Sequence, residues 1–300
     1  MLRALLAAAA IAAVTTLGGC GGGPGISRDM QPLSERTVAE LKAKGMEKGS
    51  PILMRVFKEE SELEVWKQDD SGRFALFRTY PICRWSGELG PKIKQGDRQA
   101  PEGFYTITPG LMNPNSTQYL SINTGFPNAY DRANGRTGSF LMIHGGCSSA
   151  GCYAMTDEQI AEIYALARES FFGGQSSFQL QAYPFRMTAL NMARHRNSPH
   201  VAFWQMLKQG HDHFEVTHLQ PRIDVCERRY IFDAETTERF SPVDRCPAYR
   251  VPDEIVAAVR EKQRRDEIDT AELTNRGIPT MPVTTGADGG MHPTFEAAAR

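Results

Sequence analysis

Residues 140–156, FLMIHGGCSSAGCYAMT, constrain the fold more than any other stretch of this chain. An apolar tetrad, Phe140-Leu141-Met142-Ile143, runs directly into one histidine and a run of small residues that holds two cysteines. Four apolar residues followed by glycine, serine and alanine read as a buried strand ending in a tight turn. Such an end leaves backbone N–H groups free and lets side chains face a cleft. Cys152 lies eight residues after His144, and Ser148, Ser149, Ala150 and Gly151 let the backbone between them fold tightly. An imidazole can take a thiol proton, and the thiolate attacks carbonyls well. Cys152 and His144 are therefore the candidate catalytic pair, with Cys147 in the same turn as the rival nucleophile.

The rest of the chain supplies a mixed α+β pattern. A short amphipathic helix is expected over 34–48, then strands over 52–57, 63–66 and 74–82 as an antiparallel meander. Glu59, Glu60 and Lys67 read as exposed, solvated residues of that meander. Residues 83–107 form a long Gly/Pro loop closing on a strand at 104–107, and another strand is expected near 119–123. A second loop, 126–138, carries Arg132 and Arg136, read as solvated arginines that could also meet an anion. Thr156-Asp157-Glu158-Gln159 is a capping box opening a helix to about Phe172. A strand over 178–185, helices to about Arg196 and over 200–210, and a last strand over 223–232 follow. His211, His213 and His218 read as surface or loop histidines. A charged helix over 252–265 and a disordered tail over 277–300 complete the chain. With 300 residues and 41% hydrophobic content, a sizeable core is affordable to one or two domains. A net charge of −1 argues against a nucleic-acid partner.

The N-terminus reads as a targeting segment. Arg3 precedes an apolar run, 4–17, too short to span a bilayer comfortably. Leu17-Gly18-Gly19-Cys20 resembles the lipobox of bacterial lipoproteins, which implies a signal peptide over 1–20 and lipidation of Cys20. Gly21 to Gly25 then form a tether, and Gly21 in place of an aspartate favours the outer membrane. The folded part would face the periplasm, where disulfides are permitted. A Cys226–Cys246 bridge is a reasonable pairing, while a Cys147–Cys152 bridge stays open and would abolish the nucleophile. No C-x-x-C is present, so zinc is not expected.

Residues 140–156 resemble the signature of the YkuD-type L,D-transpeptidases, cysteine acyltransferases of bacterial peptidoglycan. That family pairs a histidine-glycine at a strand end with a later S-x-G-C. Here these are His144-Gly145 and Ser149-Ala150-Gly151-Cys152. Residues 100–105, APEGFY, look like the family's T-P-x-G-x-F/Y strand entry. GELGPKIKQGDRQAPEGFY and YPFRM resemble the proteobacterial YafK-like branch, which is related to a murein amidase. Two departures stand out: Ala150 replaces a histidine found in most members, and their catalytic histidine lies farther upstream. The compact spacing here matches that branch. The resemblance covers roughly 50–232.

It implies a mainly antiparallel, β-rich L,D-transpeptidase-like core with flanking helices. The catalytic domain would span 50–235, after a tether and short helix at 21–49. A helical extension (236–276) and the disordered tail (277–300) would follow. The implied chemistry is acyl transfer through a Cys152 thioester on stem peptides, with His144 as base, held by a backbone carbonyl. The amides of Gly151 and Cys152 would receive the oxyanion. Gly145, Ser149 and Arg186 would contact substrate, Arg186 having a core-edge salt bridge as its other reading. The S-x-G-C match selects Cys152 and leaves Cys147 a small packing residue. An amine acceptor gives transpeptidation. Water gives amidase action, including cleavage of a peptidoglycan–lipoprotein bond. A non-catalytic peptidoglycan-binding tether is the alternative of another class. No cofactor and no metal are implied. The expected partners are stem peptides, a peptidoglycan-linked lipoprotein and the membrane through the lipid anchor.

Overall fold

Two sheets divide the work in this computed structural model, which describes residues 26–283 and 289–296. In chain order the elements begin with α1 (Glu35–Ala43), β1 (Ile52–Phe57), β2 (Glu62–Gln68), β3 (Phe74–Pro81), β4 (Arg84–Trp85) and β5 (Gly103–Ile107). Then come β6 (Met112–Asn113), β7 (Ser121–Asn123), α2 (Ala129–Ala133), β8 (Met142–His144), β9 (Tyr153–Ala154) and α3 (Asp157–Phe172). The remainder is β10 (Phe178–Tyr183), α4 (Ala189–Arg194), α5 (Val201–Thr217), β11 (Ile223–Cys226), β12 (Arg229–Phe232), α6 (Asp253–Asn275) and α7 (Pro293–Glu296).

The first sheet has the order β3-β2-β1-β10-β5, and the second β4-β9-β8-β7-β6. Only β1–β10 and β8–β9 pair in parallel, so the fold is α+β and mainly antiparallel, as expected. Every residue of β1 and β10 is buried, the polar Arg55, Gln179 and Gln181 included, which fits two strands in the middle of a sheet. The parallel β1–β10 pair requires a crossover, and the whole second sheet and α3 lie within it. α3 begins on the expected capping box, with Thr156 accepting from the Gln159 amide and Gln159 reaching back. Its Ile160, Ile163 and Leu166 are fully buried, and the helix touches β1, β7 and β8, joining the two sheets. That placement fixes β8 and β9, the strands that flank the His–Cys turn.

Several boundaries differ from the sequence reading. α1 is shorter than expected, while α5 and α6 run on to Thr217 and Asn275. α6 is docked on α4 and α5, and tertiary contact extends it beyond what its charged pattern suggests. The expected last strand is a hairpin, β11–β12, turning at Glu227 and Arg228 in left-handed conformation. The Cys226–Cys246 bridge closes beside it. The tail is also partly ordered. Leu89 N–H donates to the Val283 carbonyl at 3.0 Å, Gly290 pairs with Trp85 at the free edge of β4, and His292 N–H donates to the Ile82 carbonyl. These are backbone pairings, which leave no mark in side-chain pattern. Cys20 and the expected signal peptide lie outside the described residues. Among the described residues no helix is long and apolar enough to cross a membrane.

The charged residues of the meander are not solvated as expected. Lys67 is fully buried and donates to the carbonyls of Lys48 and Ser50 and to Ser170 Oγ, and burial pushes its ammonium down to about 7. Glu59 meets His195 Nε2 at 3.0 Å, and Glu60 accepts the Arg186 amide. His211 and His213 are likewise buried on α5. His213 Nδ1 lies 2.7 Å from Asp233, and His211 has Glu215 four residues on. Only His218, the left-handed C-cap of α5, sits at an element end. His211 has its partners Asp212 and Glu215 on its own helix, at spacings the sequence does contain, whereas the other groups are satisfied by pairing across the fold, which local spacing does not reveal.

Candidate active site

The turn between β8 and β9 is bonded at nearly every step. Pairing of β8 with β9 sets Ile143 opposite Tyr153 and His144 opposite Ala154. Cys152 therefore falls level with Met142, and strand alternation puts its side chain on the same face as His144. The Met142 N–H donates to Cys152 Sγ at 3.4 Å, and the thiol lies 3.7 Å from the Phe140 carbonyl oxygen. His144 is buried, with Nδ1 at 2.6 Å from the Gly145 carbonyl oxygen. A carbonyl only accepts, so Nδ1 carries the hydrogen and Nε2 keeps a lone pair. Burial pushes the His144 imidazole below its usual value and the Cys152 thiol above its own. The resting pair is thus neutral imidazole and neutral thiol. Cys152 is the free cysteine among the described residues, and it is half-buried.

Ser149 is the staple of this turn. Its hydroxyl donates to the Cys152 carbonyl at 2.8 Å and accepts from the amides of Gly151 (3.3 Å) and Cys152 (3.1 Å). Ser86, just after β4, donates to the same oxygen at 2.6 Å. The two amides expected to face an oxyanion are therefore already held by Ser149 Oγ. Ser149 organises the turn, and its hydroxyl stands where another acceptor oxygen would have to enter. Gly151 has φ +123°, a region few L side chains adopt. Gly145 is also structural. A Cβ there would lie 2.5 Å from Asp157 Oδ1 and 2.9 Å from the Gln118 carbonyl oxygen.

Cys147 is not a packing thiol. It is exposed, left-handed (φ +47°), and bridged to Cys83 just before β4. The disulfide ties the turn to the neighbouring strand and leaves Cys152 free. This resolves the Cys147–Cys152 alternative.

Two loops make the rim beside Cys152. In the first, the Asp97 carboxylate accepts from the amides of Ile93 (2.9 Å), Lys94 (2.9 Å) and Gln99 (3.0 Å) and pairs with Lys92. In the second, Thr137 N–H donates to the Ile93 carbonyl and Thr137 Oγ1 accepts from Gln95 N–H, zipping the loops together. The second loop ends at Phe140, left-handed and 75% exposed, directly before the strand that supports the thiol. The first is anchored from beneath by Lys58, whose ammonium donates to the carbonyls of Glu88, Gly90 and Ala100 and to Glu102 at 2.9 Å. Glu102 also accepts from Gly90 N–H and Trp204 Nε1.

Other expected contacts fall elsewhere. Arg186 pairs with Glu62 and with Glu64 at 2.8 Å and lies over the Phe57 ring. It lines a groove of about 520 Å³ on the first sheet with Arg55, Trp66 and Glu215. The core-edge salt bridge is what the fold contains, and substrate binding by Arg186 is set aside. Arg136 pairs with Asp131 between the rings of Tyr130 and Phe203, and Arg132 donates to the Pro127 carbonyl. Sequence reasoning misses Lys58, Ser86, Asp97 and the exposure of Phe140, and only for Ser86 and Asp97 does the length of the Gly/Pro loop give a hint. Among the described residues no group of three or more His, Cys, Asp or Glu is set to hold a metal.

Residues 55–172 match the family described as the YkuD L,D-transpeptidase catalytic domain. Two proteins of Escherichia coli, strain K12 and O157:H7, each described as "Putative L,D-transpeptidase YafK", are 47% identical over 183 residues, spanning 61% of this chain and 74% of theirs. Among solved structures, the helical cell shape determining protein Pgp2 of Campylobacter jejuni overlaps at TM-score 0.35 and 20% identity, over 50% of this chain and 56% of that one. Bd1075 of Bdellovibrio bacteriovorus overlaps at TM-score 0.32 and 19% identity, over 45% of this chain and 49% of that one. This chain thus spans only about half the length of those two.

Proposed function

The chain belongs to the L,D-transpeptidase family of YkuD catalytic domains, and from that premise we propose that it is a cysteine acyltransferase acting on peptidoglycan stem peptides. The observation that carries the reading is the orientation of His144. Its Nδ1–H is held by the Gly145 carbonyl, which presents the Nε2 lone pair on the face of the sheet that carries Cys152.

In this reading Nε2 takes the thiol proton and Sγ attacks the carbonyl carbon of a stem-peptide bond. The tetrahedral oxygen would draw the amides of Gly151 and Cys152 away from Ser149 Oγ, which must rotate toward Ser86. Each such donor commonly contributes about 3 kcal/mol to the transition state. Collapse expels the amine, protonated by the imidazolium, and leaves a thioester on Cys152. An incoming amine then gives a new peptide bond, and water gives a free acid. The eight-residue His144–Cys152 spacing, compact for this family, keeps the hydrolytic outcome as a second reading, with a lipoprotein attachment bond among its targets. The leader sequence favours a lipid-anchored, periplasmic setting for either outcome.

The test is incubation of the purified protein with isolated sacculi, muramidase digestion and mass spectrometry, with Cys152→Ala in parallel. New cross-links or exchanged terminal residues made by the wild type alone would support transfer. Trimmed stems or released lipoprotein without new bonds would move the assignment to hydrolysis. Identical profiles from both proteins would contradict an enzyme and leave a peptidoglycan-binding tether.

A further inference from the structure

We propose that Arg98 is the substrate-reading residue of this site and binds the terminal carboxylate of the stem peptide. The backbone of Arg98 lies against the nucleophile's turn, its Cα and carbonyl carbon 3.8 and 3.6 Å from where a Cβ on Gly151 would sit. From that Cα an arginine side chain is long enough to reach the mouth of the Cys152 turn. The side chain is exposed, and among the described residues it meets no carboxylate or other partner.

Arg98 is also held there at a cost. Its φ of +56° is left-handed, a conformation unfavourable for a residue with a Cβ. The Asp97 carboxylate enforces it by gathering the amides on either side, those of Ile93, Lys94 and Gln99, while Lys92 neutralises its charge. The Lys58–Glu102 pair fixes the base of the same loop. Non-glycine residues held in this region cluster at functional sites. Charge points to the ligand class. Lys92 is consumed by Asp97, which leaves Lys94 and Arg98 as the exposed cations of this loop, and of the two Arg98 is the one whose backbone lies against the Gly151 turn. A stem peptide cut at its last bond presents its terminal carboxylate beside that bond, and a guanidinium receives a carboxylate through two parallel hydrogen bonds. Phe140 offers an exposed apolar surface across the same mouth for the aliphatic part of the chain.

This inference rests on the acyl-transfer reading and deepens it. The test uses the full protein and two muropeptides that differ only in a free or amidated terminal carboxylate, with R98Q and R98K beside the wild type. Equal melting temperatures establish that the variants fold. The wild type is expected to favour the free acid by on the order of tenfold in kcat/KM, mainly through KM, as suits one charged hydrogen-bonded contact near solvent. R98Q is expected to lose that preference, its kcat/KM falling more on the free acid than on the amide, and R98K to keep part of it. A wild type indifferent to amidation, or an R98Q enzyme with undiminished preference, overturns the role of Arg98 and leaves acyl transfer standing. Absence of any Cys152-dependent product from either muropeptide overturns both.

Discussion

Replacing Lys58 with methionine should cost more stability than any other single change to a charged side chain in this fold. Lys58 and Glu102 are both buried, and the ammonium also donates to three carbonyls of the 86–100 loop. Methionine fills a similar volume, so little of the effect is cavity. What remains is a buried carboxylate that keeps only the Gly90 and Trp204 donors. The carbonyls of Glu88 and Gly90 retain the Gln99 amide, which softens that part of the loss. Removing one partner of a buried pair typically costs about 3–5 kcal/mol. For a domain of this size that is a fall in Tm of about 6–20 °C. Urea and thermal unfolding at neutral pH measure it directly. The double variant Lys58→Met, Glu102→Gln should recover part of the loss, because no unpaired charge is then buried. A Lys58→Met protein within about 1 kcal/mol of wild type, unfolding with the same cooperativity, would refute the idea that this pair anchors the loop beside Cys152.

Other consequences follow from the same framework. Cys83→Ser removes a bridge between residues 64 apart in sequence, and loop-closure entropy puts the loss at about 4 kcal/mol, read as a fall in Tm that reductant reproduces in the wild type. Lys67 has an ordinary value of 10.5 and a folded value of about 7, so between these the unfolded chain binds a proton that the folded chain does not. Unfolding free energy should therefore climb from about pH 7 toward pH 10, with the burial cost fully present below pH 7. Urea midpoints at pH 7, 8 and 9 should rise less steeply in Lys67→Met, and parallel curves would contradict this. Burial pushes His144 below its usual value, so the base form prevails at neutral pH. The acid limb of kcat/KM should fall below pH 6.5, and a limb above pH 7 would argue against His144 as the group that titrates.

How far the sequence revealed this depends on whether a feature is local. The strand runs of β1 and β10 and the capping box of α3 are written in neighbouring residues and appear where their patterns place them, and the pairing of β8 with β9 puts His144 and Cys152 on one sheet face. The Cys83–Cys147 bridge joins residues brought together only by β4 pairing with β9, so spacing gives no hint of it. Lys58, Lys67 and Glu60 look like turn charges because their partners lie on other elements. Arg186 looks available for a ligand until Glu62 and Glu64, two residues apart on β2, are seen to face it. Ser149 and Arg98 show the same limit within the site. A serine in a small-residue turn and an arginine in a polar loop carry no signature, and their roles come from the oxygen or backbone each is pressed against. The ordered tail is the extreme case, since Gly290 adds to the β4 edge through backbone alone.

In the proposed reaction Cys152 carries an acyl group drawn from a stem peptide. Intact-protein mass spectrometry after rapid acid quench, with peptide mapping, tests it most directly. With muropeptide present, the wild type should gain the mass of a stem fragment on the peptide bearing Cys152, released by hydroxylamine. Cys152→Ala should gain none, and His144→Ala should accumulate it far more slowly. An adduct on another residue, or steady turnover with no thioester at Cys152 under quench, would contradict the assignment.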